Sequence, residues 1–410
     1  MTVLHIQTGI SDSGNSVTRL HNLMVENGID SRILCATSKI ISNRISSFSK
    51  IRLKYYALLN LIGAYLLKSK YTTNFSYPIF GHNLANHNLT KSADIIYLHW
   101  TQGGLLNMNN LRSILQLGKP VLLSCRDFWY ITGGCHSPLT CEKFTDHCGN
   151  CMYLTTNKYK DLSFKLFAKK NMLYSQFENL YVFVASEWML QSVSIATLTK
   201  NKPAFCIANV LDRAIFKKHN PNEKRIFFNL PLNKILILFG AMSPTSNKNK
   251  GWDYLVKSLG YLKSISNLDF ELVVFGASHD DDIQNILPFK IHFLGIVNEE
   301  AKLAAIYSAC DLYVTSSLSE TFGNTIFESL SCEVPVVSFN IGGAIDMIEH
   351  KQNGYLANYK DSKDFAAGIV YCLNNKLKGF LKPEIEPEQS IKKHKDLIEN
   401  LVARKINSLH

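Results

Sequence analysis

The segment SETFGNTIFE, residues 319–328, holds two carboxylates close to a glycine and two small polar residues. It follows DLYVTSS, a predicted strand, so Glu320 lies at the carboxyl end of a strand, where open α/β sheets bind their ligands. A helix is predicted to begin near Asn324, and the backbone N–H groups of Gly323, Asn324 and Thr325 can bind a phosphate. Glu328 lies about one turn inside that helix. Because ionised carboxylates accept hydrogen bonds from hydroxyls, the pattern favours a ligand that carries both phosphate and sugar.

An alternative assigns the two carboxylates to the helix itself. In that interpretation Glu320 caps the helix and Glu328 is a surface charge. For an isolated pair this alternative would be preferred, so the choice depends on the rest of the chain.

Polar residues also follow predicted strands in the first half of the chain. TGISDSGNSVTRLHNLM reads as a strand, a loop and a helix, and Gly14 in the loop allows a diphosphate to approach the backbone. His99 ends the strand in YLHWTQGG, and Asp127 and His136 lie in CRDFWYITGGCH. An ordinary strand–helix turn and a structural histidine are the alternatives for Gly14 and His99.

Four of the ten cysteines lie close together in CHSPLTCEKFTDHCGNC. They are Cys135, Cys141, Cys148 and Cys151. Four thiolates at this spacing, ending in C-x2-C, suit a tetrahedral structural zinc ion, and we predict such a site. The alternative is four reduced thiols in a long loop, because ten cysteines without a visible secretory signal indicate a reducing cytoplasm.

The surplus of positive over negative charge lies entirely in the first half of the chain. The net charge is +11, and residues 1–206 carry 21 Lys and Arg against 10 Asp and Glu, whereas the remainder carries 23 of each. Within this half, residues 50–70, KIRLKYYALLNLIGAYLLKSK, have an apolar body with basic ends. A helix of this kind lies in a membrane interface, so we predict contact with an anionic membrane surface. The alternative is a helix buried against a sheet.

Short apolar strands alternate with helical patterns along the chain, which is typical of parallel α/β sheets. Predicted strands in the first half are VLHIQTG, SRILCAT, IIYLHW, PVLLSC and YVFVAS, and those in the second half are KILILFGA, FELVVFGA, IHFLG, LYVTSS and VPVVSFN. The predicted fold is therefore α/β, with two doubly wound Rossmann-like domains facing across a cleft that both line. We place the first domain at 1–206, the second at 207–385, and a terminal helix, which returns to the first domain, at 386–410.

Two nucleotide-binding motifs are absent from the sequence. It contains neither GxGxxG after a strand nor GxxxxGK[ST]. This weakens a dinucleotide oxidoreductase and excludes a P-loop enzyme. A nucleic-acid-binding protein is disfavoured because the basic residues lack interleaved aromatics and a known module.

The second half resembles family 4 glycosyltransferases, which are retaining enzymes with the two-domain GT-B fold. The resemblance lies in ETFGNTIFE followed by PVV and GG, in ILILFGAMSPTSNKNKGWDYLVKSL with its Lys-Gly pair, and in FLGIVNEEAKLAAIYSACDLYVTSS. In the first half ASEWMLQSV and CIANVLDRAIF are similar to family segments, and CRDFWYITGGCH resembles a subfamily segment whose first residue is His where Arg126 stands.

The resemblance implies a nucleotide-sugar donor, UDP- or GDP-linked, bound without a catalytic cofactor. Lys250, assisted by Lys248, would neutralise its diphosphate on the helix terminus, and the backbone from Gly295 to Val297 would contact the base. Glu328 would bind the ribose and Glu320 the transferred sugar.

His99 resembles a family histidine near the acceptor, and Asp127 is a further catalytic candidate. The resemblance of their segment also makes Asp127 and His136 candidates for contacting sugar hydroxyls. The acceptor would be a glycan, in capsule, O-antigen or exopolysaccharide biosynthesis and lipid-linked at the inner face of the cytoplasmic membrane. A GT-B sugar-nucleotide epimerase is the alternative enzyme.

Overall fold

The computed structural model describes residues 1–10, 15–48, 50–66, 74–155, 158–240, 248–276, 287 and 289–407. Within these residues the chain forms two compact units. The first comprises Met1–Val210 together with Ser390–His410, and the second comprises Leu211–Gln389.

The first unit is built on a parallel sheet whose seven described strands have the order β3-β2-β1-β4-β5-β6-β7. The strands are β1 (Thr2–Ile10), β2 (Asp30–Ser38), β3 (Ile45–Ser47), β4 (Ile95–Leu98), β5 (Val121–Ser124), β6 (Leu180–Val184) and β7 (Ala204–Cys206). The helices are α1 (Ser16–Glu26), α2 (Lys50–Leu66), α3 (Asn88–Ser92), α4 (Met108–Leu115), α5 (Leu162–Ser175) and α6 (Glu187–Ile195). The strand order reverses between β1 and β4, which is where open sheets of this type bind ligands.

The second unit has a parallel sheet of six described strands in the order β10-β9-β8-β11-β12-β13. They are β8 (Ile235–Gly240), β9 (Phe270–Phe275), β10 (Ile291–Phe293), β11 (Leu312–Thr315), β12 (Val336–Phe339) and β13 (Gly354–Ala357). The helices are α7 (Pro221–Phe227), α8 (Trp252–Ile265), α9 (Glu300–Ala309), α10 (Asn324–Ser331), α11 (Ala344–Met347) and α12 (Ser362–Asn374). Here the order reverses between β8 and β11.

The ten predicted strands are all present, and three further strands were not predicted. Ile45–Ser47, Ala204–Cys206 and Gly354–Ala357 each pair at an edge of a sheet and are partly exposed. Central strands such as Ile95–Leu98 are wholly buried and therefore read as apolar runs, whereas short edge strands lack that signal.

The last helix, α13 (Pro387–Asn407), packs on the first unit. It buries one apolar side, composed of Ile391, Leu397, Ile398 and Leu401, in a cluster with Val3, Ile95 and Tyr97 of the sheet. Because these positions recur at helical spacing, one face of α13 covers one face of the sheet.

Helix α2 presents two different faces. Leu53, Tyr56 and Asn60 lie on its less exposed side, where the Asn60 amide bonds to the backbone of Ile79 and Phe80. The opposite side carries Ile51, Tyr55, Leu58, Leu61, Ile62 and Tyr65, which are between 45% and 82% exposed. In the part of the chain that the structure describes, no helix has the length and apolar character needed to cross a membrane.

Buried histidines join the sheet of the first unit to α1 and α13. His5 Nδ1 lies 2.9 Å from His99 Nε2, and His394 Nδ1 lies 3.2 Å from the Tyr97 hydroxyl. Burial lowers the pKa of His21 to about 4 and that of His394 to about 3, and lowers the pKa values of His5 and His99 well below the usual value. The four rings are therefore neutral in the folded protein near pH 7.

This cluster predicts acid lability. As the pH falls from 6.5 towards 4, the unfolded chain protonates these histidines and the folded protein does not, so the free energy of unfolding should fall. The slope should reach about 1.4 kcal/mol per pH unit for each histidine. His394→Gln removes one such group and should flatten the slope measured by urea unfolding between pH 7.5 and 5. His147→Gln, outside the cluster, is the control, and equal wild-type stability at both pH values would contradict the prediction.

Candidate functional site

Lys250 and Glu320 meet at the reversal of strand order in the second unit. Lys250 follows β8, Glu320 follows β11, and these two strands are hydrogen-bonded neighbours. Lys250 Nζ lies 2.9 Å from Glu320 Oε1, and both side chains are partly exposed. The structure thus brings together two predicted site residues that are 70 positions apart.

Close backbone contacts hold the Lys250 loop against the segment after β11. The Ser316 hydroxyl donates to the Lys250 carbonyl oxygen at 2.9 Å, and the Leu318 N–H donates to that of Asn249 at 2.8 Å. Gly251 has a φ of +63°, and a Cβ there would lie 1.9 Å from the Ser316 carbonyl oxygen. Glycine is therefore required after Lys250, because any other residue would bring a Cβ into the backbone of Ser316.

Two glycines after β12 fix the Glu320 segment from its other side. The Gly343 N–H donates to the Glu320 carbonyl oxygen at 3.1 Å. At Gly342, where φ is +50°, a Cβ would lie 1.9 Å from the same oxygen. The segment after β11 is therefore held by the loop that follows β8, at Ser316 and Leu318, and by the loop that follows β12, at Glu320.

Helix α10 begins where the sequence predicts. Gly323, with a φ of +98°, precedes it, and Asn324 and Thr325 open its first turn. The amino terminus of a helix carries a partial positive charge, so this end suits an anion. Glu320 stands three residues before Gly323, at the same end of the helix.

Glu328 is buried on α10, with only 4% of its surface exposed. The Tyr307 hydroxyl donates to its Oε2 at 3.2 Å, and burial together with the carboxylate charge raises the pKa of Tyr307 far above its usual value. The interpretation of Glu328 as a surface charge is therefore wrong. Tyr307 was not predicted as its partner, since the two residues lie on different helices.

The remaining donor-site candidates occupy loops. Gly295 follows β10 with a φ of +70°, accepts a hydrogen bond from the Gly276 N–H at 2.8 Å, and has open space where a Cβ would stand. Val297 lies two residues further along the same loop. Lys248 begins a short 3-10 turn that ends at Lys250. Gly14 lies outside the described residues.

In the first unit, His99 is completely buried beside His5 and Arg126. Burial and the Arg126 charge lower the pKa of His99 well below its usual value. In this structure its ring contacts side chains of the first unit and reaches no solvent-accessible surface. A role in direct acceptor contact therefore finds no support in its position, and its contacts are those of a positioning residue.

Asp127 and His136 form a pair near the same edge of the sheet. Asp127 Oδ2 lies 2.7 Å from His136 Nδ1, and Asp127 Oδ1 accepts from the Trp129 N–H at 2.8 Å. His136 Nε2 lies 2.8 Å from the Ser76 hydroxyl. Sequence analysis missed Ser76 because nothing in its neighbourhood indicates a bond to a residue 60 positions away.

The structure gives no support to the predicted zinc site at the four cysteines. Among the described residues, which include all four cysteines, no three His, Cys, Asp or Glu side chains are arranged to hold a metal ion. Cys148 Sγ instead accepts from the Gly133 N–H at 3.2 Å, and burial raises the pKa of the Cys148 thiol to about 12. The zinc site therefore stays a prediction, without support from the arrangement of the described side chains.

Comparison with known proteins shows a likeness to glycosyltransferases. Residues 233–375 match the family model described as glycosyl transferases group 1. An uncharacterized glycosyltransferase of Methanocaldococcus jannaschii is 24% identical over 74% of this chain and 80% of its own length.

Two solved structures are similar over nearly all of the chain. One is a glycosyltransferase from Rickettsia africae, with a TM-score of 0.63, 15% identity and 98% of both chains covered. The other is Anabaena HepE in complex with UDP and glucose, with a TM-score of 0.57, 16% identity, and 100% of this chain and 99% of that chain covered. The predicted GT-B fold of two Rossmann-like domains and the resemblance to family 4 glycosyltransferases are confirmed.

The glycine contacts predict a position-specific loss of stability. Gly342→Ala places a methyl group against the Glu320 carbonyl and should lower the free energy of unfolding of the second unit by about 1–3 kcal/mol. Gly260→Ala is the matched control, because nothing lies within 4 Å of its Cβ position and alanine favours the helix. Urea unfolding measures both variants, and equal stabilities would contradict the assignment.

Proposed function

We propose that this chain, a glycosyltransferase with the GT-B fold, moves a sugar from a nucleotide diphosphate to a glycan with retention of configuration. The observation that carries the proposal is the Lys250–Glu320 pair beside the amino terminus of α10. A cation, a helix terminus and a carboxylate at one strand-order reversal suit a ligand that is anionic at one end and rich in hydroxyls at the other.

The diphosphate binds to Lys250, to Lys248 and to the backbone at Gly323, Asn324 and Thr325. Lys250 already lies against a carboxylate, so donor binding exchanges one anionic partner for another. As the bond to the sugar breaks, negative charge grows on the diphosphate, and these preorganised groups stabilise it. This stabilisation lowers the barrier without a carboxylate nucleophile or a catalytic cofactor, and the acceptor attacks from the face that the diphosphate leaves.

The two carboxylates bind different parts of the donor. Glu320, partly exposed beside Lys250, accepts from hydroxyls of the transferred sugar, whereas buried Glu328 accepts from the ribose. The backbone from Gly295 to Val297 contacts the base. The nucleotide is UDP or GDP, and the structural neighbour solved with UDP and glucose supports UDP.

An epimerase with the same fold would act on the nucleotide sugar without an acceptor. The named relatives are glycosyltransferases, which favours transfer. Release of an epimerised free sugar from the donor alone would favour the epimerase instead.

The proposed donor site predicts that Lys250 and Glu320 variants affect UDP binding and sugar transfer differently. Lys250→Ala removes a charged hydrogen bond and should weaken UDP binding roughly 10- to 100-fold in a thermal-shift titration. Glu320→Gln should keep UDP binding and lose transfer from UDP-sugars. Lys263→Ala, an exposed lysine at the end of α8, is the control and should change neither. A folded Lys250→Ala protein that binds UDP and transfers sugar like wild type would overturn the assignment.

We also propose that helix α2 lies on the inner face of the cytoplasmic membrane, which suits a lipid-linked acceptor and surface-polysaccharide assembly. Its exposed side is an apolar stripe through Ile51, Tyr55 and Tyr65. On the helix, Lys50 and Lys54 project on one flank of this stripe and Arg52 on the other. Exposed apolar side chains between basic flanks are the composition of an interfacial helix. Lys68 and Lys70 lie outside the described residues.

A cationic cavity adjoins the anchored side of α2. It has a volume of about 630 Å³, its lining includes Ile79, Arg112, Lys165 and Lys169, and none of its described lining residues is an Asp or a Glu. Ile79 is also where α2 is fixed, through the bond from its N–H to Asn60. The three cations of this cavity add to the positive charge of the first unit, which favours an anionic surface as a partner of that unit.

The membrane proposal predicts salt-sensitive binding to anionic vesicles. Lys50→Gln with Lys54→Gln should weaken flotation with such vesicles by about 2 kcal/mol, roughly 30-fold, at low salt. Lys160→Gln with Lys200→Gln removes equal charge elsewhere on the first unit and should have a smaller effect. Tyr55→Ser with Ile62→Ser should weaken binding at all salt concentrations without unfolding, because both side chains are exposed. Unchanged flotation of both α2 variants would contradict the proposal.

A further inference from the structure

A Ser–His–Asp series lies in the first unit beside an exposed tryptophan. Asp127 Oδ2, His136 and the Ser76 hydroxyl are joined by contacts of 2.7 and 2.8 Å. The indole of Trp100, which is 43% exposed, has its centroid 6.3 Å from that of His136, with 31° between the rings. None of these contacts is used by the donor site.

These residues stand where a parallel sheet presents its ligands. Trp100 follows β4 and Asp127 follows β5, and β4 and β5 are hydrogen-bonded neighbours. Both residues therefore lie at the carboxyl edge of the sheet, next to the reversal of strand order between β1 and β4.

The hydrogen bonds fix the tautomer of His136. An ionised carboxylate only accepts, so the hydrogen of the neutral ring is on Nδ1 and is donated to Asp127. Nε2 is then an acceptor, and the Ser76 hydroxyl donates to it. In the neutral ring, Nε2 thus carries one oriented lone pair, which can accept a hydrogen bond from a sugar hydroxyl.

The Ser76 side chain is not needed to hold its segment in place. The Ser76 N–H donates to the Gly134 carbonyl oxygen at 2.8 Å, and the His136 N–H donates to that of Asn74 at 2.8 Å. The indole N–H of Trp129 donates to the Ser76 carbonyl oxygen at 3.0 Å. Three hydrogen bonds hold this backbone without the Ser76 side chain. A ligand could therefore displace the Ser76 hydroxyl from His136 without releasing the segment.

We propose that Trp100, Asp127 and His136 form the subsite for a sugar ring of the acceptor, and that the Ser76 hydroxyl occupies the position of a sugar hydroxyl until the acceptor binds. The indole offers an apolar face to the C–H side of a sugar, and His136 Nε2 and the Asp127 carboxylate accept from hydroxyls. The inference rests on the proposed function, because it names where that transferase holds its second substrate.

The test uses the full chain, labelled fluorescently, on an array of bacterial glycans, followed by calorimetric titration with the glycan that gives the strongest signal. Wild type should bind at least one glycan. Trp100→Ala and His136→Gln should each weaken that binding by about tenfold or more, because each removes a contact made to the sugar. Ser76→Ala should bind as tightly as wild type or more tightly, because it frees Nε2 without removing a ligand contact.

Glycan binding by these variants distinguishes a sugar subsite from a purely structural role, and UDP binding distinguishes it from the donor site. If Ser76→Ala weakens glycan binding as much as His136→Gln, the series is structural and the proposal is overturned. It is also overturned if wild type binds no glycan, or if Trp100→Ala binds like wild type. The thermal shift caused by UDP should be the same in these variants as in wild type, because none of them changes the donor site. Loss of glycan binding alone therefore concerns only the subsite. If UDP causes no thermal shift in any of the proteins, that result counts against the proposed function instead.

Discussion

The proposed donor site depends on how closely three backbone segments of the second unit approach one another. Lys250 and Glu320 face each other at 2.9 Å only because the segments after β8, β11 and β12 touch through their main chains. Those contacts leave no room for a Cβ at Gly251 or Gly342. The two side chains proposed to bind the donor are thus positioned by close main-chain contacts at glycines, which hold these loops firmly against the sheet.

The two carboxylates of the opening motif differ in environment, although eight positions separate them. Glu320 is partly exposed beside a lysine, whereas Glu328 is buried beside Tyr307. Burying a carboxylate is costly unless it is hydrogen-bonded, so Glu328 is a fixed part of the second unit before any ligand binds. Glu320 retains the freedom to change partner.

Sequence patterns predicted features that depend on neighbours along the chain. The central strands were visible as apolar runs, and the start of α10 was visible in the glycine and polar residues before it. Features that join distant residues were not visible, as the His5–His99 contact and the Ser76–His136 contact show. The cysteine spacing has the same limit, because it constrains the order of the thiols but not where the loop places their sulfurs.

The last helix gives the chain a particular order of assembly. The first unit needs α13 to cover the sheet face around Val3 and Tyr97, yet the whole of the second unit is inserted in the sequence before it. On the ribosome, the second unit can therefore finish folding while the first still exposes an apolar face. The segment that covers this face is thus translated after the whole of the second unit, so a nascent chain stalled before α13 would present the uncovered face to chaperones.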